Sequence, residues 1–278
     1  MLFQIEHLHT EFSTRKKHFP ILDDVSISVD EGEFVALVGE SGSGKTMTAM
    51  STMHLLPENI SVTGGEIFLN QKKISSMSET EFRSISGKEI SIIFQEPMTS
   101  LNPLLKVGRQ IEEAGLIHGL SKTEAFERAA ELARLTGLND IERIFASFPH
   151  ELSGGMKQRI MIAIALMNNP RLLIADEPTT ALDVLTQEEI IRILQNLRES
   201  KKVAMLLITH DLSIVKKLCS RVYIMYKGQI VEQGTVEEIF ENPKNDYTRA
   251  LIDAVPGLEK RNVRLPVYDA FFVGRDDL

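Results

Sequence analysis

A chain of 278 residues that is 43% hydrophobic and 25% charged has the balance of a folded globular protein with a sizeable core; it is not disordered, fibrous or collagenous. Its 31 Lys+Arg stand against 39 Asp+Glu, a net charge of −8, and no basic run exceeds Arg15-Lys16-Lys17, so no nucleic-acid partner is expected. The single cysteine, Cys219, excludes an internal disulfide, a cysteine zinc site and self-contained iron–sulfur ligation, and fits a reducing, cytoplasmic compartment.

In chain order, Phe3 to Leu8, Val25 to Val29 and Phe34 to Val38 predict strands separated by turn-rich breaks such as Asp30-Glu31-Gly32. Gly44 to about Leu55 suits a helix that stops before Pro57, and Glu66 to Leu69 and Ile90 to Phe94 predict further buried strands. From about 98 to 168 the pattern is helix upon helix. There Ser121 with Glu124 makes a capping box, and Gly137 supplies a stop. Strands return at Leu172 to Ala175, Val203 to Ile208 and Val222 to Met225, with helices at about 186–198 and 211–218. That alternation predicts a mostly parallel sheet covered on both faces, interrupted by a helical insertion. The longest apolar run, Ile160 to Met167, is far short of the roughly 18 residues a membrane span needs, and the N-terminus has no signal-peptide pattern.

Residues 39–46 read GESGSGKT, between the apolar strand Phe34 to Val38 and a predicted helix. Gly39, Glu40, Ser41, Gly42, Ser43 and Gly44 form a loop whose backbone N–H groups can turn toward phosphate oxygens, backed by the positive end of the helix. Lys45 reaches the outer phosphates, and Thr46 offers a hydroxyl to Mg²⁺.

Residues 172–177, LLIADE, deliver two carboxylates at the end of a strand, where open α/β sheets bind ligands. Asp176 suits Mg²⁺ held through water, and Glu177 suits a base that polarises the attacking water. Two acids after a strand serve equally as a solvated turn or a cap; the phosphate loop in the same chain favours the catalytic reading. Further along, LSGGMKQ at 152–158 places Ser153, Gly154 and Gly155 at a helix start. That is an anion cradle or simply a helix capped by Ser153, and the local sequence leaves both open.

Three more pieces complete an ordered set: Gln95 after ISIIF, Ala181-Leu182-Asp183 after the carboxylates, and His210 at the end of VAMLLIT. Over residues 1 to about 256 the chain resembles the nucleotide-binding subunit of an ABC transporter. The resemblance implies a P-loop NTPase core, an N-terminal antiparallel β subdomain and an inserted α-helical subdomain. The corresponding units are 1–97 with 169–256, the insertion 98–168, and a tail at 257–278. It implies ATP and Mg²⁺ as cofactors, with Thr46, Gln95 and Asp176 toward the metal and Glu177, His210 and Gln95 toward the chemistry. In that family an aromatic at the place of Phe12 stacks on adenine, although packing is the common use of a Phe. Asp183 falls in the loop that borders the nucleotide, and Ser153, Gly154 and Gly155 would cradle the γ-phosphate of the opposite chain.

Met156 in the signature, EPMTSLNP at 96–103 and GQIVEQGTVEEIFENPKNDYTRALIDAVP at 228–256 resemble the oligopeptide, dipeptide and nickel importer branch. Several members of that branch carry a cysteine-bearing tail for an iron–sulfur cluster; this tail has no cysteine, so no such cluster is expected. The implied partners are a second, identical or homologous ATP-binding subunit arranged head to tail, two membrane permease subunits and, indirectly, an extracytoplasmic solute-binding protein. The implied place is peripheral, on the cytoplasmic face of the membrane. His7 and His9 lack a third ligand nearby in sequence and are not expected to bind metal. The alternative is a soluble ABC ATPase acting in DNA repair, translation or iron–sulfur assembly. A single cassette, no long heptad run and the acidic balance weigh against it.

Overall fold

The computed structural model describes residues 1–254 apart from Lys16, 97–99, Ala181 and Lys201. The expected tail at 257–278 lies outside the described residues, as does part of EPMTSLNP. Two sheets organise the chain. The first is antiparallel, in the order β2-β1-β4-β5, with β1 Phe3–Ser13, β2 His18–Val29, β4 Ile60–Leu69 and β5 Lys72–Lys73. The second has β3 Phe34–Val38, β6 Ile90–Ile93, β7 Leu172–Asp176, β8 Ala204–Thr209, β9 Arg221–Tyr226 and β10 Gln229–Thr235. Its order is β10-β9-β3-β8-β7-β6, parallel throughout except for β10. This is the expected α/β class.

The apolar runs of the second sheet follow from burial on both faces. Along β3, Phe34, Ala36 and Val38 enter one core, and Val35 and Leu37 enter the other. The same division holds on β8, where Met205 and Leu207 oppose Leu206 and Ile208. One core packs against the antiparallel sheet and α1 Lys45–Thr52, which contributes Ala49. The other holds the insertion: α3 Val107–Leu116, α4 Lys122–Leu135, α5 Ile141–Ala146 and α6 Gly154–Ala165, following α2 Glu79–Ile85. Val107, Ile111, Leu132, Leu138 and Ile144 join Phe34 and Ala36 in one continuous cluster. The insertion is therefore built onto the face of the sheet. Asn168 stitches the two together by donating to the Gly87 carbonyl at 2.9 Å and the Ala114 carbonyl at 2.8 Å.

Both bonds of the Ser121–Glu124 capping box at α4 are present. The strands β1 and β2 run well past the apolar stretches that predicted them, because their distal halves form a half-exposed hairpin in which Phe12 pairs with Phe19. His7 sits at φ +50 where the register shifts, so inward residues change from Phe3 and Ile5 to Leu8 and Thr10. Its ring and that of His9 turn to Asp24 and Asp23, at 2.6 and 3.3 Å. After β7 come α7 Val184–Ser200 and, past β8, α8 Leu212–Leu218; α9 Val236–Glu241 and α10 Asp246–Asp253 close the described chain.

Candidate active site

Parallel strands bring their C-terminal ends to one edge, and there the residues following β3, β6, β7 and β8 meet. The loop after β3 turns through Gly44, the N-cap of α1, at φ +112, a conformation that an L side chain resists. Lys45, only 5% exposed, folds its ammonium back over the loop, donating to the carbonyls of Gly39 and Glu40, each at 2.8 Å. Burial holds its pKa below the ordinary lysine value against the opposing charges of Glu177, Asp176 and Glu40. Thr46, next on α1, donates to Asp176 Oδ1 at 3.4 Å.

Asp176 ends β7 and is 4% exposed. Burial pushes its carboxyl up to about 6; Glu177 adds to the rise, and Thr46 and Lys45 oppose it. Glu177 takes φ +46, a left-handed backbone rare for a side chain of this kind. Its N–H is fixed to the Ile208 carbonyl at 2.8 Å, so the turn swings the carboxylate toward the strand ends on either side. Oε2 accepts from Gln95 Nε2 at 3.1 Å and from the Thr180 hydroxyl at 2.7 Å, and Oε1 lies 3.2 Å from His210 Nδ1. Lys45, Thr46, Asp176, Glu177, Gln95 and His210 are thus gathered at one edge. Thr180 belongs with them and was not foreseen, since a lone hydroxyl three residues after an acid carries no pattern of its own.

Ser153, Gly154 and Gly155 gather elsewhere. Ser153 is the N-cap of α6 and accepts from the Met156 N–H at 3.3 Å. Behind it, a Cβ on Gly155 would stand 2.4 Å from Thr186 Cγ2, whereas one on Gly154 would find only Leu182 Cδ2 at 3.9 Å. Thr186 is held by Asp183, which accepts from its N–H at 3.0 Å and its hydroxyl at 2.7 Å. Those bonds keep the exposed Asp183 carboxyl below its usual value. Asp183 and the signature are therefore linked through Thr186.

Phe12 is half-buried and stands outside both hydrophobic cores, its ring 6.2 Å from that of Phe19. Phe19 lies three residues before Leu22, which touches Gly44, so this aromatic pair sits about 10 Å along β2 from the loop. A cleft of about 590 Å³ lined by Met53, His54, Phe82, Ser91, Ile92 and Phe94 runs up to the residue before Gln95.

Comparison with known proteins identifies the family. A family model described as ABC transporter matches residues 22–180, and one described as Oligopeptide/dipeptide transporter, C-terminal region, matches residues 231–268. The Oligopeptide transport ATP-binding protein AppD of Bacillus subtilis (strain 168) is 45% identical over 93% of this chain and 79% of its own length. The Dipeptide transport ATP-binding protein DppD of Lactococcus lactis subsp. cremoris (strain MG1363) is 43% identical over 95% of this chain and 76% of its own. Among solved structures, the ATP-binding cassette MJ0796, a dimer in a post-hydrolysis state bound to ADP and Pi, is 28% identical with a TM-score of 0.76. That match covers 84% of this chain and 99% of the other. With one family model spanning more than half of the residues and relatives this similar across nearly all of them, the chain belongs to the ABC transporter family, as an ATP-binding subunit.

Proposed function

We propose that this ATPase powers the uptake of peptides, working as one of two ATP-binding subunits arranged head to tail against two membrane permease subunits. The observation that carries the catalytic part is the convergence of Gln95, Thr180 and His210 on Glu177, beside Lys45, Thr46 and Asp176. The solute class rests on relatives named for oligopeptide and dipeptide transport and on the matched C-terminal region.

The donor chemistry fits Mg²⁺: the Thr46 hydroxyl and the Asp176 carboxyl are hard oxygen donors 3.4 Å apart, and the carboxyl is buried beside a second acid in want of a cation. Gln95 presents its amide N–H to Glu177, which leaves the amide oxygen for the metal. When bound, Mg²⁺ supplies neutralisation and polarisation of the outer phosphates. Lys45 holds the β and γ phosphates. Glu177 accepts from the attacking water, and His210 fixes that carboxylate and faces the γ-phosphate. As water bonds to the γ-phosphorus, the bond to the β-phosphate oxygen breaks, releasing ADP and phosphate. Phe12 stacks on the adenine, and Ser153, Gly154, Gly155 and Asp183 face the nucleotide of the opposite subunit.

No helix among the described residues is long and apolar enough to cross a membrane. The relatives' names as transport ATP-binding proteins support attachment at the cytoplasmic face through the permeases, received at the cleft that leads to Gln95. An extracytoplasmic binding protein would deliver the solute to them. The cysteine Cys219 is buried, and that burial pushes its thiol up to about 12. The test is reconstitution with the permeases in vesicles. Peptide-loaded binding protein should stimulate ATP hydrolysis and peptide uptake, and Lys45→Ala should abolish both. Hydrolysis that ignores every peptide while responding to another solute overturns the solute class.

A further inference from the structure

The last described helix, α10, reaches the loop of residues 39–46 through the Tyr247 hydroxyl. Its approach is set from β10, where Glu232 accepts from the N–H groups of Lys244 at 2.7 Å and Asn245 at 3.1 Å. Asn245 then caps α10, accepting from the Tyr247 N–H at 2.9 Å, and Arg249 ties back to the carbonyls of Pro243 and Lys244. The segment so pinned turns the Tyr247 ring inward, 3% exposed and 4.4 Å from the ring of Tyr226. Its Oη accepts from the Glu40 N–H at 3.0 Å.

That N–H shares a peptide plane with the Gly39 carbonyl, and a trans amide is rigid, its N–H and C=O directed oppositely. The far end of the same plane accepts from Lys45 Nζ at 2.8 Å. One planar unit therefore stands between the hydroxyl of Tyr247 and the ammonium of Lys45. On the loop's other flank, Gly228 donates its N–H to the Ser43 carbonyl at 2.8 Å.

We propose that Tyr247 is a positioning residue for the phosphate loop: its hydroxyl fixes the Gly39–Glu40 peptide plane, and through that plane the seat of Lys45. The C-terminal region thus takes part in nucleotide binding without touching nucleotide. This rests on the assignment of residues 39–46 as the phosphate loop. Burial, the largest effect, holds the hydroxyl near 12, so it is present as O–H at any working pH.

The test is Tyr247→Phe, which keeps the ring against Tyr226 and removes the hydroxyl that accepts from Glu40. MgATP binding and hydrolysis are measured for wild type, Tyr247→Phe and Lys45→Ala within the assembled transporter, with amide exchange followed at Glu40. An orphaned amide should exchange roughly tenfold faster, and the KM for ATP should rise about three- to tenfold with a much smaller change in kcat. Protection of Glu40 in the nucleotide-free wild type, lost in Tyr247→Phe, reads the contact directly. If wild type binds MgATP in a Lys45-dependent manner while Tyr247→Phe leaves KM and Glu40 exchange unmoved, this proposal alone is overturned. A fall in thermal stability with an unmoved KM also overturns it, since that marks packing only. If wild type binds no better than Lys45→Ala, the loop assignment itself fails and takes the proposal with it.

Discussion

Glu177 Oε1 lies 3.2 Å from Nδ1 of His210, and the two differ sharply in surroundings: the side chain of Glu177 is 13% exposed and that of His210 59%. A sheltered carboxylate held from three sides suits a group that accepts from a positioned water. Glu177→Gln keeps the shape and an oxygen for Thr180 and Gln95 but removes the charge. Hydrolysis should fall by about 10²- to 10⁴-fold while nucleotide binding persists. Single-turnover hydrolysis alongside equilibrium binding separates the two. A variant that turns over near the wild-type rate would remove Glu177 from the chemistry.

The exposed imidazole gives a complementary expectation. His210→Ala takes away little packing, so its folding free energy should stay within about 0.5 kcal/mol of wild type. Hydrolysis should nevertheless drop by about 10²-fold or more, because Glu177 loses the partner that orients it at Oε1. Denaturant titration and single-turnover kinetics on one preparation suffice. A parallel loss of stability and activity would mark His210 as structural.

Away from the site, acid should act through Glu33. Burial pushes this carboxyl up, but bidentate donation from Arg221 at 2.7 and 2.9 Å, the Asp30 N–H, the Arg221 charge and the Ser220 hydroxyl together hold it below its usual value. A depressed folded pKa gives stability that is present above the unfolded value of about 4.5 and is lost as pH falls through the folded one. The same guanidinium donates to the Ser28 carbonyl at 2.9 Å and so joins the two sheets. Arg221→Met should cost about 1–3 kcal/mol near neutral pH, discounted for partial exposure, and the cost should shrink as pH falls through the depressed Glu33 value. Urea midpoints of both proteins from pH 3 to 7 measure it; parallel curves would assign the acid sensitivity elsewhere.

How much of this could be read in the chain itself depends on what each feature demands. Gly39 through Thr46 stood out as a proposed phosphate loop because phosphate binding requires particular residues at particular spacing. The strands carrying Phe34, Leu173 and Leu207 were legible because burial on both faces leaves an unbroken apolar run. Thr180 carried no such pattern, since a single hydroxyl three residues past an acid means nothing until Glu177 is seen at φ +46. The bond from Glu40 to Tyr247 spans 207 residues of sequence. The short helices α2 and α9 were not predicted, although the structure shows each opening on a capping box, Ser78–Glu81 and Thr235–Glu238. Their brief lengths gave the 3.6-residue period little room to show.

For Gly155, the proposed role across the subunit interface has to be separated from packing within its own chain. A Cβ on Gly155 would stand 2.4 Å from Thr186 Cγ2 in the same chain, before any phosphate is considered. Thr186 cannot simply rotate away, because both its N–H and its hydroxyl are bonded to Asp183. Gly155→Ala should therefore destabilise the isolated chain by about 1–3 kcal/mol. Gly154→Ala, with only Leu182 Cδ2 at 3.9 Å, should be neutral or gain a few tenths of a kcal/mol. Thr186→Ser deletes the clashing methyl and keeps the hydroxyl that Asp183 holds, so Gly155→Ala with Thr186→Ser should recover most of the lost stability. Hydrolysis in the assembled transporter then isolates the proposed role across the interface. If Gly155 also brings backbone N–H groups close to the γ-phosphate of the opposite subunit, the stabilised double variant should remain about tenfold or more impaired, as loss of one charge-assisted hydrogen bond entails. Urea denaturation of the four proteins, with hydrolysis by each assembled complex, completes the cycle. Full recovery of hydrolysis together with stability would leave Gly155 as a packing glycine and withdraw its role across the interface.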